Sequence, residues 1–62
     1  MTYRQIDKLL RKDGWFLISQ NGSHRQYKHA VKPGKVTLSP HSWSDEIPKG
    51  TQRSILKQAG LL

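Results

Sequence analysis

Residues 15–29 read WFLISQNGSHRQYKH, and this stretch predicts a β-hairpin. Its first part, residues 15–20, is too short and too aromatic for a helix and predicts a strand buried on both faces, or nearly so. Asn21-Gly22 is typical of a type I′ turn, in which both central residues take a positive φ. The second strand then covers residues 24–29, so a histidine directly follows the turn.

Helical patterns flank this hairpin on both sides. Thr2 and Gln5 have the spacing of a capping box, and Gly14 suits the left-handed position after a helix end, so we predict a first helix at residues 3–12. A Lys-Pro-Gly-Lys turn at residues 32–35 precedes a short strand at residues 36–38. A polar loop over residues 39–47 then leads to a last helix, which Pro48 opens and Gly60 ends.

The order α-β-β-β-α predicts an α+β fold in one domain, residues 1–62, with a three-stranded antiparallel sheet and two helices on one face. The other face stays open because the chain has few apolar residues. Tyr27 should point to the helices, and Arg25 and His29 share its parity but should reach solvent near the strand ends. The side chains predicted for the open face are His24, Gln26, Lys28, Lys35 and Thr37.

Charge is the strongest global feature of the chain. Eleven Lys and Arg against four Asp and Glu give a net charge of +7, which favours polyanions, nucleic acid first. The alternative is that the basic residues only keep a small protein soluble. With no cysteine and few acids, we expect no disulfide, no metal site and no cofactor. Without a signal peptide or an apolar segment of roughly 20 residues, we expect a cytoplasmic protein with no membrane contact.

The histidine after the turn suits RNA chemistry. Histidine can take and give a proton near neutral pH, and RNA supplies its own nucleophile, the 2′-hydroxyl. His24 can act as the base, with Arg25, Lys28 or Lys35 stabilising the phosphorane charge, and no metal is required. His41 is a candidate second acid or phosphate contact. The alternative is that His24 is only a surface residue beside a turn.

Short motifs follow one another along the whole chain. They are Asp13-Gly14-Trp15, Asn21-Gly22-Ser23-His24, Lys28-His29, Lys32-Pro33-Gly34, Val36-Thr37, Pro40-His41 and KGTQRSILKQAGL at residues 49–61. In their order and spacing they resemble the HicA toxins of bacterial type II toxin–antitoxin pairs. The resemblance implies a fold like a double-stranded RNA-binding domain and the activity of an mRNA interferase, a metal-independent RNA endonuclease. It also implies that His24 of the Gly22-Ser23-His24 motif is catalytic and that a HicB antitoxin covers the active site.

Neighbouring residues take roles from this comparison. Gly22 supplies a positive φ in the turn, and Ser23 either contacts phosphate or bonds the turn backbone. Trp43, in a polar loop, is a base-stacking residue, an antitoxin anchor or a lid on the core. Asp45 and Glu46 stand where many relatives carry lysines, so we expect this loop to lie off the RNA surface, with the acids favouring the start of the last helix.

Two other functions fit the same sequence. The chain could be a non-catalytic RNA-binding module, which would keep binding RNA after loss of His24. It could also be a protein-interaction domain whose basic surface meets an acidic partner. The ribonuclease interpretation is favoured because the histidine, the hairpin and the family motif coincide.

Overall fold

The computed structural model describes residues 1–62 and has the predicted α+β order. Its elements are α1 (Tyr3–Lys12), β1 (Trp15–Asn21), β2 (His24–His29), β3 (Val36–Leu38) and α2 (Lys49–Gln58). The three strands form one antiparallel sheet in the order β1-β2-β3, with α1 packed on β1 and α2 packed on β3. Neither helix is long and apolar enough to cross a bilayer.

Helix α1 begins at the predicted capping box. The Thr2 N–H donates to Gln5 Oε1 at 2.8 Å, and the Gln5 N–H donates to Thr2 Oγ1 at 3.2 Å, so two otherwise free helix donors are satisfied. Ile6 and Leu10, one turn apart, are its buried residues. The helix ends at Asp13, and Gly14 follows it with φ +104°, as a residue without a Cβ permits.

The core lies between the helices and one face of the sheet. Across that face, Leu17, Tyr27 and Val36 are neighbours in the strand register, so their side chains point the same way. Nine apolar side chains are buried and in contact: Ile6, Leu10, Trp15, Tyr27, Val36, Leu38, Ile47, Ile55 and Ala59. Such a small core buries one sheet face only, which leaves the other face to solvent.

The prediction that β1 is buried on both faces is wrong. Trp15 is buried, but Phe16 is 47% exposed and Ile18 is 43% exposed. Ile18 is an extra residue in the ladder, because Leu17 pairs with Tyr27 while Ser19 pairs with Gln26. A continuous apolar run suggests a strand covered on both sides, but two ten-residue helices on one face leave nothing to cover the second side.

The hairpin turn lies one residue later than predicted. Asn21 is the last residue of β1 and pairs with His24, so Gly22 and Ser23 are the central residues of a two-residue turn. Only Gly22 has a positive φ, +60°, which is the pattern of a type II′ turn rather than type I′. Asn21 therefore keeps an extended conformation and its place in the ladder.

The loop over residues 39–47 covers the start of α1. The Arg4 N–H donates to the Trp43 carbonyl at 2.9 Å, and the Tyr3 N–H donates to the Asp45 carbonyl at 3.1 Å. These bonds satisfy two more of the free donors at the helix start. No acid lies in the first turn of α2, so the expectation that Asp45 and Glu46 favour its start through the helix dipole is wrong. They lie beside α1 instead.

Candidate nucleic-acid interface

The open face of the sheet carries polar and basic side chains and no acid. The four acids lie elsewhere: Asp7 within α1, Asp13 at its end, and Asp45 and Glu46 in the loop beside its start. A phosphate chain that approaches the open face therefore meets no carboxylate. The residues that the strand register places on this face are Phe16, Ser19, Asn21, His24, Gln26, Lys28 and Thr37.

His24 occupies the end of this face next to the turn. It is the first residue of β2, it is exposed, and it pairs with Asn21 across the hairpin. Gly22 and Ser23, which precede it, are also exposed. The tight turn thus presents the imidazole at the end of the central strand, where a polymer can reach it from solvent.

The predicted lysines lie at the other end of the open face. Lys28 is exposed and four residues beyond His24 on β2, which corresponds to about 13 Å at the usual strand rise. Lys35 is exposed and directly precedes Val36, whose partner in the register is Tyr27, so it lies at the Lys28 end. Neither lysine therefore surrounds the imidazole, but both can bind phosphates further along a strand of RNA.

Arg25 lies on the face opposite His24. Its neighbours in the ladder are Gln20 and Leu38, and it is half-buried. Its guanidinium carbon lies 4.5 Å from the centre of the Trp43 ring, a cation–π contact. The parity predicted for Arg25 is confirmed, and the stack covers one face of the indole and holds the loop of residues 39–47 against the sheet.

His41 lies in the loop that follows β3, and β3 ends at the end of the sheet that carries His24. Because β3 runs antiparallel to β2, the end of β3 lies beside the start of β2, and Arg25 pairs with Leu38 there. His41 follows three residues after Leu38 and is exposed. His41 therefore follows the end of β3 that lies nearest to His24.

His29, the third histidine, is part of the framework rather than of this face. Its Nδ1 accepts hydrogen bonds from the N–H groups of Val31 and Lys32, both at 3.0 Å, so the ring proton is on Nε2, which donates to the Asp13 carbonyl at 2.7 Å. The ring also packs edge-on against Trp15, with centroids 5.3 Å apart. We call these contacts the histidine clamp.

Lys32 extends the clamp to both helices. Its ammonium donates to Asp13 Oδ2 at 2.5 Å and to the Ala59 carbonyl at 3.0 Å, so one cation serves the C-terminal ends of α1 and α2. This hydrogen bond from Lys32 holds the pKa of Asp13 below its usual range. Asp13 and Lys32 therefore contact each other and hold the helix ends together.

A second anchor fixes β2 to α1. The Tyr27 hydroxyl donates to Asp7 Oδ1 at 2.5 Å, and Arg11 Nε donates to the same carboxylate at 3.2 Å. Burial and this bond to Asp7 raise the pKa of Tyr27 to about 12. These bonds attach the strand that carries His24 to α1.

The surface around His24 is open rather than a cleft. The two hollows of the molecule, about 380 and 270 Å³, lie at the helices, and His24 lines neither. No three His, Asp or Glu side chains are grouped so that they could hold a metal ion. An open face suits a polymer better than a small molecule, which usually binds in a concave site.

Sequence reasoning missed Phe16, the large exposed aromatic on this face. It pairs with Lys28 in the ladder, so the two side chains start from neighbouring positions on the open face. The missed signal is alternation: with Trp15 and Leu17 directed to the helices, Phe16 must point to the open face.

The family comparison supplies the remaining finding. Residues 3–61 match the family described as the HicA toxin of bacterial toxin–antitoxin. The chain belongs to the HicA toxin family. The match covers both helices and all three strands, so the resemblance drawn from the motifs is confirmed. A search of curated proteins returned no match. As a HicA toxin, the chain belongs to a toxin–antitoxin pair, which implies an antitoxin as partner.

Proposed function

We propose that this HicA toxin is an endoribonuclease that cleaves mRNA without a metal ion and uses His24 as its catalytic residue. The observation that carries the proposal is the position of His24. It is an exposed imidazole at the end of the central strand, on a sheet face that has lysines and no acid, and the same strand is bonded to α1 through Tyr27. The sequence Gly22-Ser23-His24 is one of the motifs in which the chain resembles the HicA family.

The chemistry is a transfer of the phosphoryl group within the RNA. The His24 imidazole takes the proton of a 2′-hydroxyl, and the 2′-oxygen attacks the adjacent phosphorus. The bond from phosphorus to the 5′-oxygen breaks, and that oxygen receives a proton from the His41 imidazolium or from His24 itself. The products are a 2′,3′-cyclic phosphate and a 5′-hydroxyl, and the protons balance.

The other predicted RNA contacts differ in their distance from His24. Ser23 is exposed and directly precedes His24, and we assign its hydroxyl as a donor to the reacting phosphate. Lys28 and Lys35 bind phosphates further along the strand and hold it in register. Arg25 lies on the opposite face and stacks on Trp43, so we assign it to phosphate contacts at the edge of the site and not to the reacting phosphate.

We also propose that the neutralising partner is a HicB-type antitoxin that covers the open face. An acidic protein surface complements this face, which carries lysines and no carboxylate. Such a complex should prevent RNA from reaching His24. Added antitoxin should therefore lower RNA binding and cleavage in parallel, and RNA binding that persists in the complex would contradict this arrangement.

RNA cleavage in EDTA with analysis of the new ends tests the proposed chemistry. We expect cleavage to continue in EDTA and to leave 2′,3′-cyclic phosphates. An oligonucleotide with a single 2′-deoxy sugar at the cut should resist, because the nucleophile is missing. Loss of activity in EDTA, or cleavage at the deoxy position, would refute the mechanism. Binding without any cleavage would instead support a non-catalytic RNA-binding module.

A further inference from the structure

Phe16 is a large aromatic side chain that the core does not use. It is 47% exposed on β1, while the residues on either side of it, Trp15 and Leu17, point to the helices. Ile18, 43% exposed, is close by at the bulge. This strand therefore presents an apolar patch on a face that is otherwise polar.

The surroundings of Phe16 favour a polyanion. Its partner across the ladder is Lys28, and the Cβ atoms of such a pair are usually about 5 Å apart, so the long lysine side chain can bring its ammonium to a phosphate next to the ring. The same face carries His24 and, on β3, Thr37, and it has no carboxylate. An aromatic ring beside a free ammonium is a combination that serves one nucleotide, the ring for the base and the ammonium for the phosphate.

We propose that Phe16 is a base-stacking platform and that the RNA held on the open face is single-stranded. This inference rests on the proposed function and specifies its substrate. In an A-form duplex the bases are stacked on one another, so a ring that projects from a flat sheet cannot reach their faces. An unpaired base can leave its stack and lie on Phe16. Because every base has a π face, the contact positions the strand without selecting a sequence.

Phe16 lies too far from His24 for the stacked nucleotide to be the one that is cleaved. It lies across from Lys28, about 13 Å along β2 from His24 at the usual strand rise. The base on Phe16 therefore belongs to a nucleotide beyond the one that is cut. Stacking should anchor the strand on one side of the cleavage site, at a fixed number of nucleotides from it.

Binding of a labelled single-stranded RNA to Phe16 variants tests this inference. The variants are made in the His24→Ala protein, so that the RNA stays intact. Phe16→Leu keeps an apolar side chain but removes the ring, and we expect a loss of about 5- to 100-fold in affinity. Phe16→Tyr keeps the ring and should bind as the parent does. Val31→Ala, at a site 86% exposed on a loop, is the control for loss of surface apolar area.

Abasic RNAs then locate the stacked nucleotide. An abasic site moved along the oligonucleotide should weaken binding at one main position, and that penalty should vanish in Phe16→Leu. A duplex of the same sequence should bind more weakly and be indifferent to the substitution. Equal affinities for Phe16→Leu and its parent, or stronger binding of the duplex, would overturn the inference. His24-dependent cleavage would then still support the proposed function, whereas absence of any RNA binding would remove both.

Discussion

Replacing His29 by Phe tests whether the clamp is structural. The change keeps a flat ring against Trp15 but removes one donor and one acceptor that serve three hydrogen bonds. Each such bond contributes about 1 kcal/mol net, so the loss is about 3 kcal/mol. A domain of 62 residues has a total stability of about 3–9 kcal/mol. His29→Phe should therefore remove a third or more of it.

The assay is thermal and urea unfolding followed by circular dichroism at pH 7. A loss of about 3 kcal/mol should lower the Tm by about 12–24 °C in a domain of this size. His24→Phe is the matched control, because it makes the same change in the same strand at an exposed site. Its effect should stay within about 0.5 kcal/mol.

The two histidine substitutions should therefore have opposite effects on stability and on RNA cleavage. His29→Phe should lower stability but retain RNA cleavage at temperatures where it is folded, and His24→Phe should do the reverse. Equal losses of stability would show that the clamp contributes nothing specific. Loss of cleavage in a fully folded His29→Phe protein would show that the ring has a part in the chemistry.

Four further substitutions test how the fold is held together. The pKa of Tyr27 is raised from about 10 to about 12, so its contribution to the free energy of unfolding is present below pH 10 and lost as the pH rises through 12. In urea titrations, Tyr27→Phe should therefore show a smaller loss of stability at alkaline pH than the native chain. The pKa of Asp13 is lowered by Lys32, so its contribution to the free energy of unfolding is present above pH 4 and lost in acid. The Tm values of Asp13→Asn and the native chain should therefore differ at pH 7 and converge toward pH 2. Gly14→Ala should cost about 2–4 kcal/mol, because φ is +104° and the new Cβ would lie 2.7 Å from the clamp imidazole. Gly22→Ala, whose Cβ meets nothing within 4 Å, should cost about 1–2 kcal/mol by the same unfolding assay.

Local signals predicted most of the elements. The capping box at Thr2 and Gln5 and the left-handed Gly14 depend on neighbouring residues only, so the limits of α1 follow from the sequence. The turn was misplaced by one residue because Gly22 alone satisfies a type II′ turn, and the sequence does not say whether Asn21 stays in the ladder. Burial of β1 was overestimated because it depends on how much surface the helices can cover.

The candidate site was also predicted only in part. Parity along β2 placed His24 and Lys28 on the open face, and the structure agrees. Parity does not measure distance, so the expectation that Lys28 lies near the imidazole missed their separation along the strand. The stack of Arg25 on Trp43 depends on a loop whose path is set by its bonds to the start of α1, which no local pattern encodes.

The most direct test of the central claim is the single-turnover rate of RNA cleavage by the native chain and by His24→Ala, with folding of both checked by circular dichroism. General acid–base catalysis contributes about 10²- to 10⁴-fold, so the variant should be slower by that factor while it remains folded and binds RNA. Equal rates would contradict the account, because His24 would then be an ordinary surface residue.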